Sequence, residues 1–152
     1  MRRFKVYLAG PLFSLGERTF NERFVSALRK KMPNLNIIVP QVYAAEIYGQ
    51  KGFINSMFEH CVKSIGEADA LLCILDGSDV DSGTCVEMGY AYACGKPIIG
   101  VRTDSRASED RGVNLMVSKV CREFIRFSSS RVTEDELIKE VIAALRRVLP
   151  SQ

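Results

Sequence analysis

Residues 79–90 read DVDSGTCVEMGY, which sets three carboxylates, Asp79, Asp81 and Glu87, around Gly83; Asp76 stands just before them in ALLCILDG. Carboxylates at this spacing suit several kinds of work. Asp81 or Ser82 can cap a helix, whose dipole favours acids near its N-terminus. Asp76, Asp79 and Asp81 can offer oxygens to a hard cation such as Mg²⁺. A carboxylate can also stabilise, or trap covalently, a carbon that becomes cationic in a transition state. If a helix starts at 81 or 82, Glu87 lies one to two turns in, on the face of Gly83, where a missing side chain lets a substrate approach. Glu87 is set among Val86, Met88, Gly89 and Ala91, small or apolar residues suited to close packing. No cation stands near the acids in sequence, so their mutual repulsion is unfavourable unless a ligand uses it. Phosphate readings fail, because GxxxxGK[ST] is missing, GSDVDSG is not GxGxxG, and acids repel phosphate.

The surrounding elements must carry these groups to one place. Residues 4–10, FKVYLAG, read as a strand ended by Gly10-Pro11. Residues 17–32 read as an amphipathic helix with Phe20, Phe24 and Leu28 on one stripe, stopped by Pro33. Residues 36–40 form a second strand, and QVYAAEIYGQKG is a loop or partial helix. Residues 53–68 read as a helix striped by Ile54, Met57, Phe58, Cys61 and Ile65. ALLCIL, 70–75, is apolar throughout, as in a strand covered on both faces. A helix over 83–94 ends at Gly95, a fourth strand covers 97–101, a polar loop 103–112, and a fifth strand 123–127. Thr133 and Glu136 form a capping-box pattern ahead of Leu137, Val141, Leu145 and Val148. Strands alternating with helices imply an α/β fold, a parallel sheet with helices on both faces. In such a sheet ligands bind outside the carboxyl ends of the strands, where the acidic segment falls.

Composition narrows the class. At 152 residues, 47% hydrophobic and 26% charged, the chain is expected to form a single domain over 1–152. A net charge of +3, with scattered basic pairs, gives no nucleic-acid footprint. Five cysteines, odd in number and without a CxxC pair, read as reduced and mostly buried thiols, Cys73 and Cys94 lying in apolar stretches. His60 is the lone histidine, which disfavours a zinc site. With neither a signal-peptide pattern nor an apolar run of membrane-spanning length, a cytoplasmic protein with no membrane partner is expected.

YLAGPLF, EADALLCILDG, DSGTCVEMGYAYACGKPI and GVNLM, in that order, resemble the nucleoside 2-deoxyribosyltransferase family over roughly residues 4–127. The D-x-G-x-x-x-E-x-G element (Asp81, Gly83, Glu87, Gly89) is the most specific piece. The resemblance implies a three-layer flavodoxin-like (Rossmann-like) fold with a five-stranded parallel sheet. It implies transfer of 2-deoxyribose between nucleobases without metal or organic cofactor, from a 2′-deoxynucleoside to a free nucleobase. By the same resemblance Glu87 is the nucleophile at the anomeric carbon, Tyr7 orients it, and Asp81 contacts substrate and helps protonate the leaving base. Gly10, Phe13, Gln41, Asp79 and Gly83 fall at substrate-binding positions, Phe13 as an aromatic wall and Gln41 as a base reader. Asn114 and Met116 match residues that reach a neighbouring subunit's site, so a homo-oligomer is implied.

Breaking an N-glycosidic bond passes through an oxocarbenium-like state, which suits a nearby carboxylate whatever the family. Departure of the base needs a second acid of raised pKa, and crowding of Asp79, Asp81 and Glu87 can supply one. One position departs from the family pattern: Cys61 stands where an aspartate is common, so either His60 or Glu59 supplies the group, or base selectivity and rate differ. Two further readings stay open, an N-glycosidase in which water replaces the acceptor base and a non-catalytic nucleoside- or nucleotide-sensing domain. Asp81, where the glycosidases that take 5′-monophosphates carry a serine, opposes a substrate phosphate.

Overall fold

The computed structural model describes residues 2–106, 112–127 and 132–150. Its elements run β1 (Phe4–Ala9), α1 (Leu15–Lys31), β2 (Leu35–Ile38), α2 (Pro40–Ile47), α3 (Phe53–Glu67), β3 (Ala70–Ile74), α4 (Ser82–Ala93), β4 (Ile98–Arg102), α5 (Leu115–Lys119), β5 (Glu123–Arg126) and α6 (Glu134–Val148). All four strand pairings are parallel, in the order β2-β1-β3-β4-β5. This is the flavodoxin-like α/β arrangement, and its strand order reverses between β1 and β3. The polar loop expected over 103–112 lies partly outside the described residues.

Alternation along the strands divides the core in two. Val6, Leu8, Leu72, Ile74, Ile99 and Val101 face one side, where α1 brings Phe24, Val25 and Leu28 and α6 brings Leu137, Val141 and Leu145. Tyr7, Ala9, Leu71, Cys73 and Ile98 face the other, against Ile65 of α3 and Met88 and Ala91 of α4. Tyr7 is thus one step out of phase with its aliphatic neighbours, and that step turns it toward α4. Among the described residues no helix is long and apolar enough to cross a membrane.

Three expectations change on contact with the coordinates. The stripe read along α3 is only half buried: Ile65 is covered, whereas Ile54 and Phe58 are 79% and 66% exposed. The covered face of α3 runs through Phe53, Met57, Cys61 and Ser64, so it is rotated from the expected stripe and leaves Ile54 and Phe58 at its exposed margin. On α4, Met88 and Ala91 pack as expected, but Val86 is exposed, and a Cβ on Gly89 would meet nothing within 4 Å. Positions 84, 88 and 91 face the sheet, and 86 and 89 point away from it. Cys73 alone among the cysteines is fully buried, and Cys94, at the end of α4, is exposed.

Close packing between β4 and α5 depends on Gly100, where an added Cβ would lie 2.7 Å from Cys121 Sγ and 2.9 Å from Leu75 Cδ1. Gly100→Ala is therefore expected to destabilise the fold by about 1–3 kcal/mol in urea denaturation, as overpacking does, with Cys121→Ala in the same chain restoring part of the loss.

Candidate active site

The acidic segment is built by the turn that follows β3. Gly77 sits at φ 129°, and a Cβ there would come within 2.8 Å of the Asp79 carbonyl oxygen, so only glycine lets the chain double back. Asp81 then caps α4, its Oδ2 accepting from Thr84 N at 2.8 Å and from Thr84 Oγ1 at 3.0 Å. A Cβ on Gly83 would crowd that oxygen at 3.1 Å, which explains the glycine two residues into the turn. Capping by Asp81 fixes the phase of α4, and Glu87 follows from it one to two turns along.

Glu87 meets Tyr7 across 80 residues of sequence: the phenol of β1 donates to Glu87 Oε1 at 2.5 Å. Tyr7 is fully buried beneath this bond. Cys61 of α3 packs, partly buried, against the same cluster as Tyr7. Burial is the first cause raising the Glu87 carboxyl above its ordinary value, and the negative charge of Asp81 adds to it; the bond from Tyr7 pulls the other way. Burial, and then the Glu87 charge, push the Tyr7 phenol far above its usual range, so it stays protonated and donates. The result is a partly buried carboxylate held by a neutral phenol donor, an arrangement able to deliver an oxygen nucleophile to an electron-poor carbon.

The other acids are engaged differently from expectation. Asp76 accepts from Thr103 N at 2.6 Å, Thr103 Oγ1 at 2.5 Å and Asp104 N at 2.9 Å, which latches the end of β3 to the end of β4. Asp79 is exposed and accepts from its own neighbour, Val80 N. With Asp81 at the helix cap, the three oxygens sets serve separate local bonds, and among the described residues no three His, Cys, Asp or Glu side chains gather as metal ligands. Charge crowding by Asp79 is not what raises Glu87, since desolvation leads and only Asp81 contributes charge. The rim also has cations after all: Arg102, fully buried, donates to the Leu75 and Gly77 carbonyls, and Arg106 pairs with Asp104, holding that carboxyl well below the usual range.

The remaining candidates scatter around the rim. Gly10 lies where β1 leaves the sheet, and a Cβ there would touch Ile74 Cβ at 3.0 Å, so glycine brings this loop against the end of β3. Phe13 is 72% exposed in the following loop. Gln41 is buried at the start of α2, and its amide is taken up by α1: Oε1 accepts from Asn21 Nδ2, and Nε2 donates to Glu22 Oε1 at 3.0 Å. Those bonds fasten α2 to α1 and leave the amide little capacity to read a base. Asn114 caps α5 by accepting from Met116 N, and Met116 is 67% exposed. Neither His60 nor Glu59 takes the place of an acid at position 61. The His60 ring stacks on Tyr43 at 3.8 Å, its charged neighbours are Glu46 and Lys63, and Glu59 is exposed. The latch from Asp76 to Thr103 and Asp104 went unread in the sequence, although the polar run that closes β4 was its one visible sign.

A carboxyl whose folded pKa is raised weakens the fold as pH climbs from its ordinary 4.5 through the folded value, because the unfolded chain ionises first. Glu87→Gln is therefore expected to be more stable than the parent at pH 7, with the gain fading as pH falls below the ordinary glutamate range, measured by urea titrations at several pH values.

Comparison with known proteins places this geometry in context. A family model described as nucleoside 2-deoxyribosyltransferase matches residues 6–116. An uncharacterized protein of Ureaplasma parvum serovar 3 is 31% identical over 146 residues, covering 84% of this chain and 91% of its own. A conserved protein from Enterococcus faecalis V583 has a similar structure, with 25% identity, TM-score 0.73, and coverage of 94% of this chain and 99% of that one. A 2-deoxyribosyltransferase from Bacillus psychrosaccharolyticus shares the fold at 21% identity and TM-score 0.72, over 97% of this chain and 99% of its own.

Proposed function

The chain belongs to the nucleoside 2-deoxyribosyltransferase family, and on that footing we propose that it moves 2-deoxyribose from one nucleobase to another with Glu87 as the nucleophile. The observation that carries this reading is the 2.5 Å bond from the buried Tyr7 phenol to Glu87 Oε1. That bond occupies one carboxylate oxygen and aims the other. In the first half-reaction the free oxygen of Glu87 attacks C1′ of a 2′-deoxynucleoside. The C1′–N bond breaks, its electron pair stays on the base, and the leaving nitrogen takes a proton. Asp81 serves that proton transfer, since Oδ2 is fixed by Thr84 and Oδ1 accepts no hydrogen bond among the described residues. The second base then attacks C1′ from the vacated side, the C1′–O bond breaks to return the Glu87 carboxylate, and the base nitrogen gives up its proton to Asp81, with net retention. Gly10, Phe13, Asp79 and Gly83 border the substrate along the same rim, and this chemistry draws on no metal or organic cofactor.

We propose further that a second copy of the chain completes the site. Ile54 and Phe58 of α3, Val86 of α4, and Leu115 and Met116 of α5 are each more than half exposed, and all three helices cover the same face of the sheet. Apolar exposure of this kind is the mark of an interaction surface. Asn114 and Met116 at the start of α5 would face a neighbour's substrate. In a lone chain the same openness favours a second reading, hydrolysis, because Glu87 is only half-buried and water reaches the ester.

Incubation with deoxyinosine and adenine is expected to yield deoxyadenosine and hypoxanthine, followed by chromatography. Glu87→Ala should lower transfer by about a thousandfold or more while leaving the circular dichroism spectrum unchanged. Release of sugar at a rate indifferent to added base would assign the hydrolase instead, and no turnover of any deoxynucleoside would leave a sensing domain. Light scattering is expected to give a multiple of the chain mass, with Met116→Glu shifting the distribution toward monomer; a monomeric parent would overturn the shared site.

A further inference from the structure

The turn that carries Asp81 is held from outside by a side chain to which the proposed chemistry gives no part. Arg102 ends β4, one step beyond Val101, which faces α1 and α6, so it points toward the layer of α4 and α5. There it is fully buried, and a Cβ on Gly112 would lie 3.1 Å from its Nε, so the chain ahead of α5 closes over the guanidinium. Its bonds all go to main-chain carbonyls. Nη1 donates to Leu75 O at 2.5 Å, and Nη2 donates to Gly77 O at 3.0 Å and to Arg106 O at 3.3 Å. The first of these bonds ends the sheet. Leu75 N still donates to Val101 O, and in a parallel ladder carried one step further Thr103 N would donate to Leu75 O. Thr103 N goes instead to Asp76 Oδ1, and the guanidinium takes the carbonyl left over.

We infer that Arg102 is a positioning residue for Asp81: its fork grips the carbonyls on both sides of Asp76, fixes where the chain leaves β3, and so places the acid at the far end of the turn. The inference rests on the reading of Asp81 as the group that serves the leaving base. Along the turn the chain is held again at Gly77 N, which donates to Asp104 Oδ2 at 3.1 Å, and at Val80, which is buried. At its end Thr84 holds Asp81 Oδ2. The turn thus sets the main chain of Asp81, the cap sets one oxygen, and together they direct Oδ1. Glu87 does not share this dependence, because Tyr7 holds it from β1 while Met88 and Ala91 bury its helix against the sheet. Loosening the turn therefore misdirects the acid and spares the nucleophile. A guanidinium suits the place because its rigid fork reaches two carbonyls at once, which the point charge of a lysine cannot do. Among the described residues no carboxylate pairs with it, so the carbonyl oxygens are what hold the buried charge.

The test compares two sugar donors in single-turnover release of the base. Hypoxanthine departs readily from deoxyinosine only when it is protonated, whereas 7-methyldeoxyinosine already carries the positive charge and its base leaves neutral. In Arg102→Met, release from deoxyinosine is expected to fall by about a hundredfold, the loss that misplacing a catalytic group brings, while release from 7-methyldeoxyinosine changes little. Arg102→Lys keeps the charge and one donor group, so it should show the same split with a smaller loss, and it decides the matter if Arg102→Met does not fold. Urea titration of each variant confines the rates to folded protein. Asp81→Asn is expected to show the split in full. Equal losses on both donors in the Arg102 variants would mark Arg102 as a structural brace and overturn the inference, as would no loss on either. If Asp81→Asn treats the two donors alike, or the parent releases neither base, the reading of Asp81 as the acid fails and takes the inference with it. A split in Asp81→Asn without one in the Arg102 variants defeats the inference alone.

Discussion

A carboxylate sequestered from bulk water needs donors, and here its strongest is a phenol 80 positions away in the chain. The geometry of the sheet exists to bring those two groups together. β1 lies between β2 and β3, so a side chain pointing from β1 toward the α3 and α4 layer meets the first turns of the helix that leaves β3. Tyr7 is paired in register with Leu71, and Leu8 with Leu72, which sets its height in the sheet. Asp81 sets the phase of α4 from the other side. A shift of one residue in either element would turn Tyr7 into the α1 core or carry Glu87 away from it.

Holding that pair is unfavourable for the fold, and the surroundings show how it is tolerated. Ionised Glu87 is opposed by burial and by Asp81, a strain of the sort that functional sites retain at the expense of stability. Met88 and Ala91, fully covered on the same helix, hold α4 to the sheet from just beyond the charge. Asp76 and Arg102 brace the mouth, the first by three hydrogen bonds to the head of the β4 loop and the second by donating to carbonyls on both sides of the turn after β3. The acidic segment is therefore a rigid bracket with one helix cap and one latch, and only one of its carboxylates has the setting of a nucleophile.

Much of this was legible from residue types alone. The all-apolar run at β3, the paired glycine turns and the Thr133–Glu136 capping box gave the α/β order, and the capping box is present in full. The pairing of Tyr7 with Glu87 came from the family resemblance, since by periodicity alone Tyr7 reads as an ordinary residue of an amphipathic strand. What escaped was whatever depends on where an element stops relative to the sheet. Periodicity marks one face of α3 as apolar, but it cannot tell that the margin carrying Ile54 and Phe58 is left uncovered. Nor can it separate a glutamine that fastens two helices, as Gln41 does, from one that faces a ligand. Asp76 looked like a ligand because the donors it accepts from, Thr103 and the Asp104 amide, come from 27 and 28 residues further on. α5 is five residues long, too short to show a period.

On the proposed chemistry, Glu87 does not by itself choose between transfer and hydrolysis. The glutamyl ester is the same in both, and the outcome depends on whether a base or water occupies the space that the first base leaves. Within one chain Glu87 is only half-buried, and Phe58 of α3 and Val86 of α4 are largely exposed. Those are the apolar positions that a second copy would cover. Covering them would exclude water from the ester and strengthen every charge interaction around it. Selection for transfer would then act on surface residues of α3, α4 and α5 rather than on the catalytic carboxylate. That accounts for how one bracket of Tyr7, Asp81 and Glu87 can be kept while the fate of the sugar is set elsewhere in the fold.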